Sequence, residues 1–304
     1  MDTLGSMRVF ARVVELGGFN AAGRACGMSA AMVAKHVAHL EERTGARLLD
    51  RTTRSVRPTP EGQLYLEKAL AIIEAVEEAE GTVAAENREP RGSLRVTAPI
   101  ELGQDHLAPL LVEFMSRHPG IAVVADFTNR PVDLVQEGFD VAIRVAPSLD
   151  TALIGRKLAT TRFRVVASPD FIARHGRPDS PEALSALPAL AFSQPTPRLE
   201  WPWRRGSAEG KTRIAPRLVS SSAEALRLAA LSGLGVSWLP TFVCGRDIAE
   251  GRLVALLPSY DWGGFGVHVL YPHRRFVPSR LRLFIDFLAE RLGGDPDGDP
   301  WAPV

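Results

Sequence analysis

The sequence predicts a protein of the α plus α/β class, in which a small helical head precedes a long helix and a larger body. Three observations lead to this prediction. Apolar residues recur at helical spacing around Gly-containing turns over residues 3–45. A pattern of apolar and small residues spaced alternately four and three apart follows from residue 65. Beyond residue 92, short apolar strands alternate with amphipathic helices, which indicates a parallel sheet.

The charge distribution separates the head from the segment that follows it. The chain of 304 residues is long enough for two or three domains, and its 45% hydrophobic and 23% charged residues are ordinary for a globular protein. Residues 1–59 hold nine Lys or Arg against five Asp or Glu, whereas residues 60–90 hold two against eight. This asymmetry favours contact between a polyanion and the head alone.

The composition also narrows the class of protein. The two cysteines, Cys26 and Cys244, form no CxxC pattern, which argues against a disulfide framework or a zinc site. Either could be a redox sensor or a small buried side chain. The seven histidines show no metal-like cluster, so we predict no metal and no other cofactor. Without a signal-peptide pattern or an apolar run of about 18 residues, the chain is predicted to be cytoplasmic, with no membrane partner.

The head has the pattern of a helix-turn-helix. Apolar residues predict a first helix over 3–16, and a short Ala-rich helix follows over 19–26 with Asn20 as its N-cap. Ser29 is predicted to cap a third helix that continues to about Arg43. Two helices around a tight turn form a helix-turn-helix, which binds DNA in many proteins. From this stretch alone, an αα-hairpin without a DNA role remains an alternative.

The segment ARLLDRTTRSVRPTP, residues 46–60, predicts a short hairpin beside these helices, because apolar and polar residues alternate and Thr and Val favour strands. A hairpin in this place is a wing. Its cations could bind phosphate oxygens or enter the minor groove, and its hydroxyls could donate to the backbone. The side chains concerned are Arg51, Thr52, Thr53, Arg54 and Arg57. A solvated basic loop is the alternative.

A long helix is predicted to follow the wing. Thr59 is a good N-cap and Pro60 suits the first helical position, so the helix should run from there to about Asn87. Its 4-3 spacing predicts a dimerisation seam, with the neighbouring face packed on the head. The seam residues are Tyr65, Ala69, Ile72, Val76, Ala79 and Val83. A dimer would present two heads to a roughly two-fold symmetric DNA site.

The body is predicted to form two lobes. Strands at 94–99, 121–127 and 139–145 alternate with helices, including a short one at 131–138. Lobe 1 is predicted at about 92–162 and 267–293, and lobe 2 at about 163–266. Residues 294–304 are rich in Gly, Pro and Asp and are predicted to be a flexible tail. A cleft at the carboxyl ends of the strands would take a small ligand.

Several segments resemble a known family. They are VFARVVELGGFNAAGRACGMSAAMVAKHVAHLEERTGARLLDRTTRSVRPTPEG in the head, and SLRVTAP, DLVQEGFDVAIRV and ALRLAALSGLGVSWLP in the body. They are similar to LysR-type transcriptional regulators. The resemblance implies a winged helix-turn-helix at 1–59, a linker helix at 60–88, and a two-lobed, periplasmic-binding-protein-like α/β effector domain at 92–293. It also implies a homodimer or homotetramer on promoter double-stranded DNA, a small-molecule effector, and RNA polymerase as a further partner.

An enzyme is the rival interpretation of the α/β body. The sequence contains no GxSxG, no Gly-rich phosphate loop and no HExxH. A lone binding lobe would have no winged head. The sequence therefore favours a regulator over both alternatives.

The helix that would enter the major groove departs from the usual family pattern. Members commonly carry Ser-Gln near its start and Ser-Arg further along, where this chain has Ser29-Ala30 and Ala34-Lys35. Base readout by polar groups should therefore rest on Ser29, Lys35 and His36. Their apolar neighbours on this helix are Ala30, Ala31 and Met32.

The resemblance also places the effector site. Its candidates are Pro99, Ile100, Glu101, Thr128, Asn129, Ser221 and Ser222. Family members often carry Ser or Thr near Glu101 and bind a carboxylate effector there. If Glu101 points into the cleft, it should repel an anionic effector and suit a cationic or hydrogen-bond-donating one. Alternatively, Glu101 complements a helix dipole from the surface.

Overall fold

A computed structural model describes residues 1–51, 56–83, 90–148, 153–193, 196–272 and 277–303. For Arg51, Ala71, Glu74, Ala75 and residues 77–83 it describes the backbone alone. The chain forms two compact units, Met1–Arg88 and Glu89–Val304, which we call the head and the body.

Three helices form the first part of the head. They are α1 (Thr3–Leu16), α2 (Phe19–Cys26) and α3 (Ala30–Thr44). The predicted cap of α3 is confirmed, since Ser29 Oγ accepts from the Met32 N–H at 3.2 Å. The predicted cap of α2 is wrong. Gly18, in extended backbone after the left-handed Gly17, precedes the first turn, so Asn20 lies inside the helix.

The three helices pack on one another and enclose a small apolar core. Its buried members are Val9, Phe10, Val13, Ala22, Val33, Val37, Leu40, Leu48 and Leu49. These residues recur at the three-to-four spacing of an apolar helix face, which is why the sequence pattern located them.

The predicted wing is present. Strands β1 (Leu49–Arg51) and β2 (Val56–Pro58) pair in antiparallel register. The Glu41 carboxylate accepts from the Leu48 N–H at 2.9 Å, which ties the start of the wing to α3. The predicted contacts of Thr52, Thr53 and Arg54 fall outside the described residues.

Helix α4 (Pro60–Val83) begins as predicted, since Thr59 Oγ1 accepts from the Gly62 N–H at 2.9 Å. Gly62 lies against the wing. A methyl group at this position would overlap the backbone carbonyl oxygen of Leu48, which itself accepts from the Thr59 N–H at 3.1 Å. Only glycine permits this approach between helix and hairpin.

The seam prediction for α4 is partly wrong. Ala69 is fully buried within the chain, and the Tyr65 ring lies edge-on to Phe10 at 5.8 Å between centroids. Burial also raises the pKa of Tyr65. Both residues belong to the head's own core, because α4 packs on α1. Ile72 remains 45% exposed and Val76 is half-buried, so these seam positions face outward, whereas the Val83 side chain is not described.

The body is built on a sheet of nine strands, eight of them in one hydrogen-bonded path. The lobe 1 strands lie in the order β4, β3, β5, β13 and then β6, and β6 continues into lobe 2 beside β11, β7 and β10, with β12 on its other edge. Their bounds are β3 Gly92–Ala98, β4 Ile121–Phe127, β5 Val141–Ala146, β6 Ile154–Ala167, β7 Pro188–Phe192, β10 Ala215–Ser220, β11 Val236–Pro240, β12 Val254–Leu256 and β13 Gly264–Tyr271. A separate hairpin consists of β8 (Glu200–Arg205) and β9 (Ala208–Arg213).

Helices cover the faces of this sheet. They are α5 (Ile100–Leu102), a π-helical turn (Gly103–Leu107), α6 (Ala108–Arg117), α7 (Pro169–His175), a 3₁₀ helix (Glu182–Ala186), α8 (Ala223–Leu231), α9 (Thr241–Ala249) and α10 (Ser279–Arg291). The short helix predicted at 131–138 is absent. Residues 134–138 form turns instead, in which the Glu137 and Phe139 N–H groups donate to Asp133 and Leu134 carbonyls.

Strand β6 connects the two lobes. It pairs with β13 from Ile154 to Arg162 in lobe 1 and with β11 from Phe163 to Val166 in lobe 2. Each lobe has its own core, one around Phe114 and Phe284, the other around Trp201 and Trp262. The strand therefore runs unbroken from one core to the other.

The prediction of a flexible tail at 294–304 is wrong. Gly298 O accepts from the Thr160 N–H at 2.9 Å, and the Asp299 carboxylate accepts from the Arg162 N–H at 3.1 Å and the Thr241 hydroxyl at 2.9 Å. Residues 295–303, which we call the strap, are held against the crossing strand β6 and helix α9. The polar groups of the strap cap turns and accept hydrogen bonds within the protein, so the segment is not a solvated chain.

The two cysteines differ in exposure, which predicts different reactivity. Burial raises the pKa of the Cys244 thiol to about 12, whereas Cys26 is half-buried. The thiolate is the nucleophile, so iodoacetamide at about pH 8 should alkylate Cys26 in the folded protein and leave Cys244 intact. Peptide mass spectrometry measures both sites, with urea-unfolded protein as the control. Equal labelling of both in the folded protein would contradict this assignment.

Candidate functional site

One face of α3 is exposed, and it holds most of this helix's residues predicted to contact DNA. Ser29, Ala31 and Lys35 are exposed, and Met32 is 45% exposed. These positions recur at three and four residues, so they share one side of the helix. Ala38 continues the same exposed face and was missed in the sequence analysis, although its i+3 spacing from Lys35 was the available signal.

His36 lies one turn after Met32 and is half-buried. Its Nδ1 lies 2.9 Å from Ser6 Oγ, and Ser6 is fully buried in α1. The ring therefore joins α3 to α1, and base readout by His36 stays a prediction. Ala30, at the first position of α3, is half-buried and offers only part of its methyl group.

The wing adds positive charge beside this face. Arg57 is exposed on β2, opposite Asp50 in the hairpin register. Arg51 ends β1, where only its backbone is described. Exposed guanidinium groups on a stiff hairpin are suited to phosphate oxygens, because they are charged and their geometry allows paired hydrogen bonds.

In the body, Glu101 reaches from lobe 1 to lobe 2. It projects from α5 in lobe 1 and is 7% exposed. Its Oε1 accepts from the Ala223 N–H at 2.8 Å and from the Glu224 N–H at 3.3 Å, at the start of α8 in lobe 2. The surface alternative is therefore wrong. The carboxylate complements a helix dipole, but that of the opposite lobe.

Two further candidates contact the same carboxylate. Ser222 Oγ donates to Glu101 Oε1 at 3.3 Å and accepts from the Ala225 N–H at 3.2 Å, so it is also the N-cap of α8. Asn129 Nδ2 lies 3.4 Å from Glu101 Oε2, and its Oδ1 accepts from the Ile100 N–H at 3.0 Å. The structure thus brings together candidates from three separate segments of the body.

The remaining candidates flank this group. Thr128 is half-buried, and its Oγ1 accepts from the Arg130 N–H at 3.3 Å. Ser221 is exposed, and Pro99 is half-buried at the N-cap position of α5. Thr128 and Ser221 are next to residues of the Glu101 group in the sequence, and Pro99 precedes Glu101 by two residues. Their part in binding an effector stays a prediction.

Arg144 was missed in the sequence analysis. It projects from β5, and Nη2 donates to Thr97 Oγ1 at 3.2 Å. Burial lowers the pKa of its guanidinium, and no described Asp or Glu lies within ion-pair distance of it. A single Arg in the apolar strand FDVAIRV was the available signal.

Two classes of site are not found in the described part of the chain. No three His, Cys, Asp or Glu side chains come together as metal ligands. No helix there has the length and apolar character needed to cross a membrane.

A winged helix-turn-helix head joined to a two-lobed α/β domain, whose lobes meet through polar groups, is typical of a ligand-responsive DNA-binding regulator. Residues 4–63 match the family described as bacterial regulatory helix-turn-helix protein, lysR family, and residues 87–293 match the LysR substrate binding domain. The chain belongs to the LysR family of transcriptional regulators. It is a DNA-binding regulator with a small-molecule-binding domain, not an enzyme.

Curated relatives agree over nearly the whole chain. The regulator CrgA of Neisseria meningitidis (serogroup C, strain 8013) is 36% identical over 291 residues, which cover 95% of this chain and 97% of CrgA. The regulator DmlR of Escherichia coli (strain K12) is 33% identical over 291 residues, 95% and 94% of the two chains.

Solved structures support the same fold. The structure of CrgA from Neisseria meningitidis aligns with a TM-score of 0.63 at 35% identity, covering 95% of this chain and 98% of that one. The full-length Vibrio cholerae virulence activator AphB aligns with a TM-score of 0.60 at 26% identity, covering 95% and 99%.

Proposed function

We propose that this protein binds promoter double-stranded DNA in the cytoplasm as a homodimer or homotetramer, and that a small molecule at the cleft modulates this binding. The exposed face of α3 carries the proposal. Lys35 and Ser29 supply its polar groups, and Arg57 on the wing supplies a phosphate contact. RNA polymerase is the further partner through which such binding would alter transcription.

Exposed apolar surface supports the oligomer. On α4, Leu64 is 59%, Leu70 44% and Ile72 45% exposed. In the body, Val124 on edge strand β4 is 51% exposed and Leu228 on α8 is 51% exposed. Apolar side chains along a helix, and at opposite ends of a sheet, suit burial against a second copy of the chain.

We place the effector at the rim of the cleft, among Thr128, Ser221 and Arg144. Asn129 and Ser222 both contact Glu101, and Thr128 and Ser221 are their neighbours in the sequence. Arg144 adds a half-buried cation in lobe 1. A ligand that contacts both lobes would change their relative position, and a DNA-bending assay with that ligand tests whether the change reaches the DNA.

The first experiment is to incubate the protein with fragments of its own genome, recover those bound and sequence them. We expect a few sharp peaks over imperfect two-fold sites, one of them beside the protein's own gene. Diffuse, salt-sensitive recovery without peaks would contradict sequence-specific regulation by the protein as purified.

Two substitutions separate readout from positioning. Lys35→Ala should change which sequence is preferred, reducing discrimination by about 1–3 kcal/mol, because Lys35 lies on the helix face that meets base edges. Arg57→Ala should weaken binding to all sequences alike, because a phosphate contact carries no sequence information. The slope of log affinity against log salt concentration should become shallower by about one, since one fewer counterion is released. Competition binding to a mutated-site library, repeated at several salt concentrations, measures both. An identical uniform loss in the two variants would contradict this division of roles.

A further inference from the structure

We propose that Glu101 is an internal carboxylate clasp, which holds the two lobes together without a ligand and keeps free carboxylates away from the start of α8. The inference rests on the proposed function, since it concerns the same cleft. It goes further by stating what occupies the cleft in the ligand-free protein.

The hydrogen bonds of Glu101 run between the two lobes. Glu101 belongs to lobe 1, whereas three of its donors belong to lobe 2. They are the Ala223 N–H at 2.8 Å, the Glu224 N–H at 3.3 Å and the Ser222 hydroxyl at 3.3 Å. A lobe that moved away would leave these donors and the carboxylate unpaired, so the contact favours the closed arrangement.

The second argument is how the charge is compensated. Among the described residues, no Lys, Arg or His lies in ion-pair contact with Glu101, although its side chain is 7% exposed. The groups around it are backbone N–H groups at a helix N-terminus, a hydroxyl and the Asn129 amide at 3.4 Å. A helix start with free N–H groups binds anions. Here the chain's own carboxylate already fills that place.

The third argument is that a separate contact holds the same two lobes in the same arrangement. His106, in the π-helical turn of lobe 1, lies with Nε2 2.7 Å from the carbonyl oxygen of Phe242 in α9 of lobe 2. Glu101 and His106 lie five residues apart and reach different helices of lobe 2. Two such contacts define one position of the lobes rather than a range of positions.

The test is chemical rescue by acetate in the full-length protein. Glu101→Ala removes the carboxylate and leaves a space where acetate can bind. We expect the variant to unfold at a lower temperature than the wild type in sodium chloride. Sodium acetate at equal ionic strength and neutral pH should raise its Tm by about 2 °C or more, because acetate binds the folded state alone. The wild type should show no such gain.

Glu101→Gln is the matched control, because its amide fills the same space without the charge. Acetate should leave its Tm unchanged relative to chloride. Hydrogen exchange gives a second measurement. The amides of Ala223 and Glu224 should exchange faster in Glu101→Ala, and acetate should slow them again. If Glu101→Ala is unfolded in chloride, we expect it to refold in acetate.

Two outcomes would overturn the proposal. One is an equal effect of acetate on Glu101→Ala, Glu101→Gln and the wild type. The other is unchanged amide exchange at the start of α8 in Glu101→Ala. Neither measurement contains DNA, so failure of the clasp is distinct from failure of the proposed function, which the genomic fragments test.

Discussion

Gly62→Ala is expected to destabilise the head by about 3 kcal/mol and to abolish specific DNA binding. The new methyl group would overlap the Leu48 carbonyl oxygen, which is backbone and cannot move alone. That oxygen accepts from the Thr59 N–H, so a shift also disturbs the N-cap of α4. Thermal unfolding followed by calorimetry, with DNA binding measured on the same sample, gives both quantities.

Gly18→Ala is the matched control in the same unit. Nothing lies within 4 Å of the position its methyl group would take, and its φ of −179° is open to any residue. Its stability and DNA binding should stay close to those of the wild type. If Gly62→Ala matched Gly18→Ala, the close approach of α4 to the wing would not be required for the head to fold.

Deleting residues 295–304, and with them the strap, is expected to destabilise the body by about 3 kcal/mol. Trp301 lies edge-on to His106 at 5.5 Å and to Phe242 at 6.0 Å, and so contacts one helical segment from each lobe. The deletion also leaves the Arg162 N–H and Thr241 hydroxyl without Asp299. Denaturant unfolding followed by far-ultraviolet circular dichroism measures the loss.

A point substitution tests the same contact without shortening the chain. A methyl group at Gly245 would overlap the Trp301 carbonyl oxygen, so Gly245→Ala should displace the strap and lose comparable stability. Lys157→Ala removes only the ion pair with Asp297, whose side chain is 89% exposed, and should change stability by less than about 1 kcal/mol. Equal, small losses in all three variants would contradict a structural role for the strap.

The sequence was sufficient for the order of the main elements and for the exposed face of α3. Helix periodicity located the head core, and the alternation of polar and apolar residues located the wing. Ser29 and Thr59 were recognisable as caps, because their hydroxyl groups precede apolar helical patterns. Each of these signals depends on residues close together in the sequence, and each corresponds to contacts between such residues in the structure.

Contacts between segments far apart in the sequence could not be predicted from local patterns. The 4-3 spacing in α4 identifies an apolar face but not what covers it, and Ala69 turned out to pack within the head. His36 had the position of a base-reading residue, but its partner Ser6 lies 30 residues away. Glu101 is held by N–H groups more than 120 residues further along the chain.

The composition of the strap led to the wrong prediction of a flexible tail. Gly, Pro and Asp usually indicate a solvated tail, yet here the carboxylates serve as turn caps. Asp295 Oδ1 accepts from the Asp297 N–H at 2.9 Å, and Asp299 Oδ1 accepts from the Trp301 N–H at 3.1 Å. The large apolar residue in the segment, Trp301, was the available signal, because a Trp side chain is usually at least partly buried.

The π-helical turn at Gly103–Leu107 affects how this protein can be aligned with its relatives. A π turn holds one residue more than an α turn of the same span, and it places His106 against Phe242. In a relative whose helix is α-helical throughout, an ungapped alignment would pair every residue of α6 with a neighbour of its true equivalent. Transfer of residue roles across this helix therefore requires a one-residue gap within 103–107, whereas Glu101, which precedes it, can be compared directly.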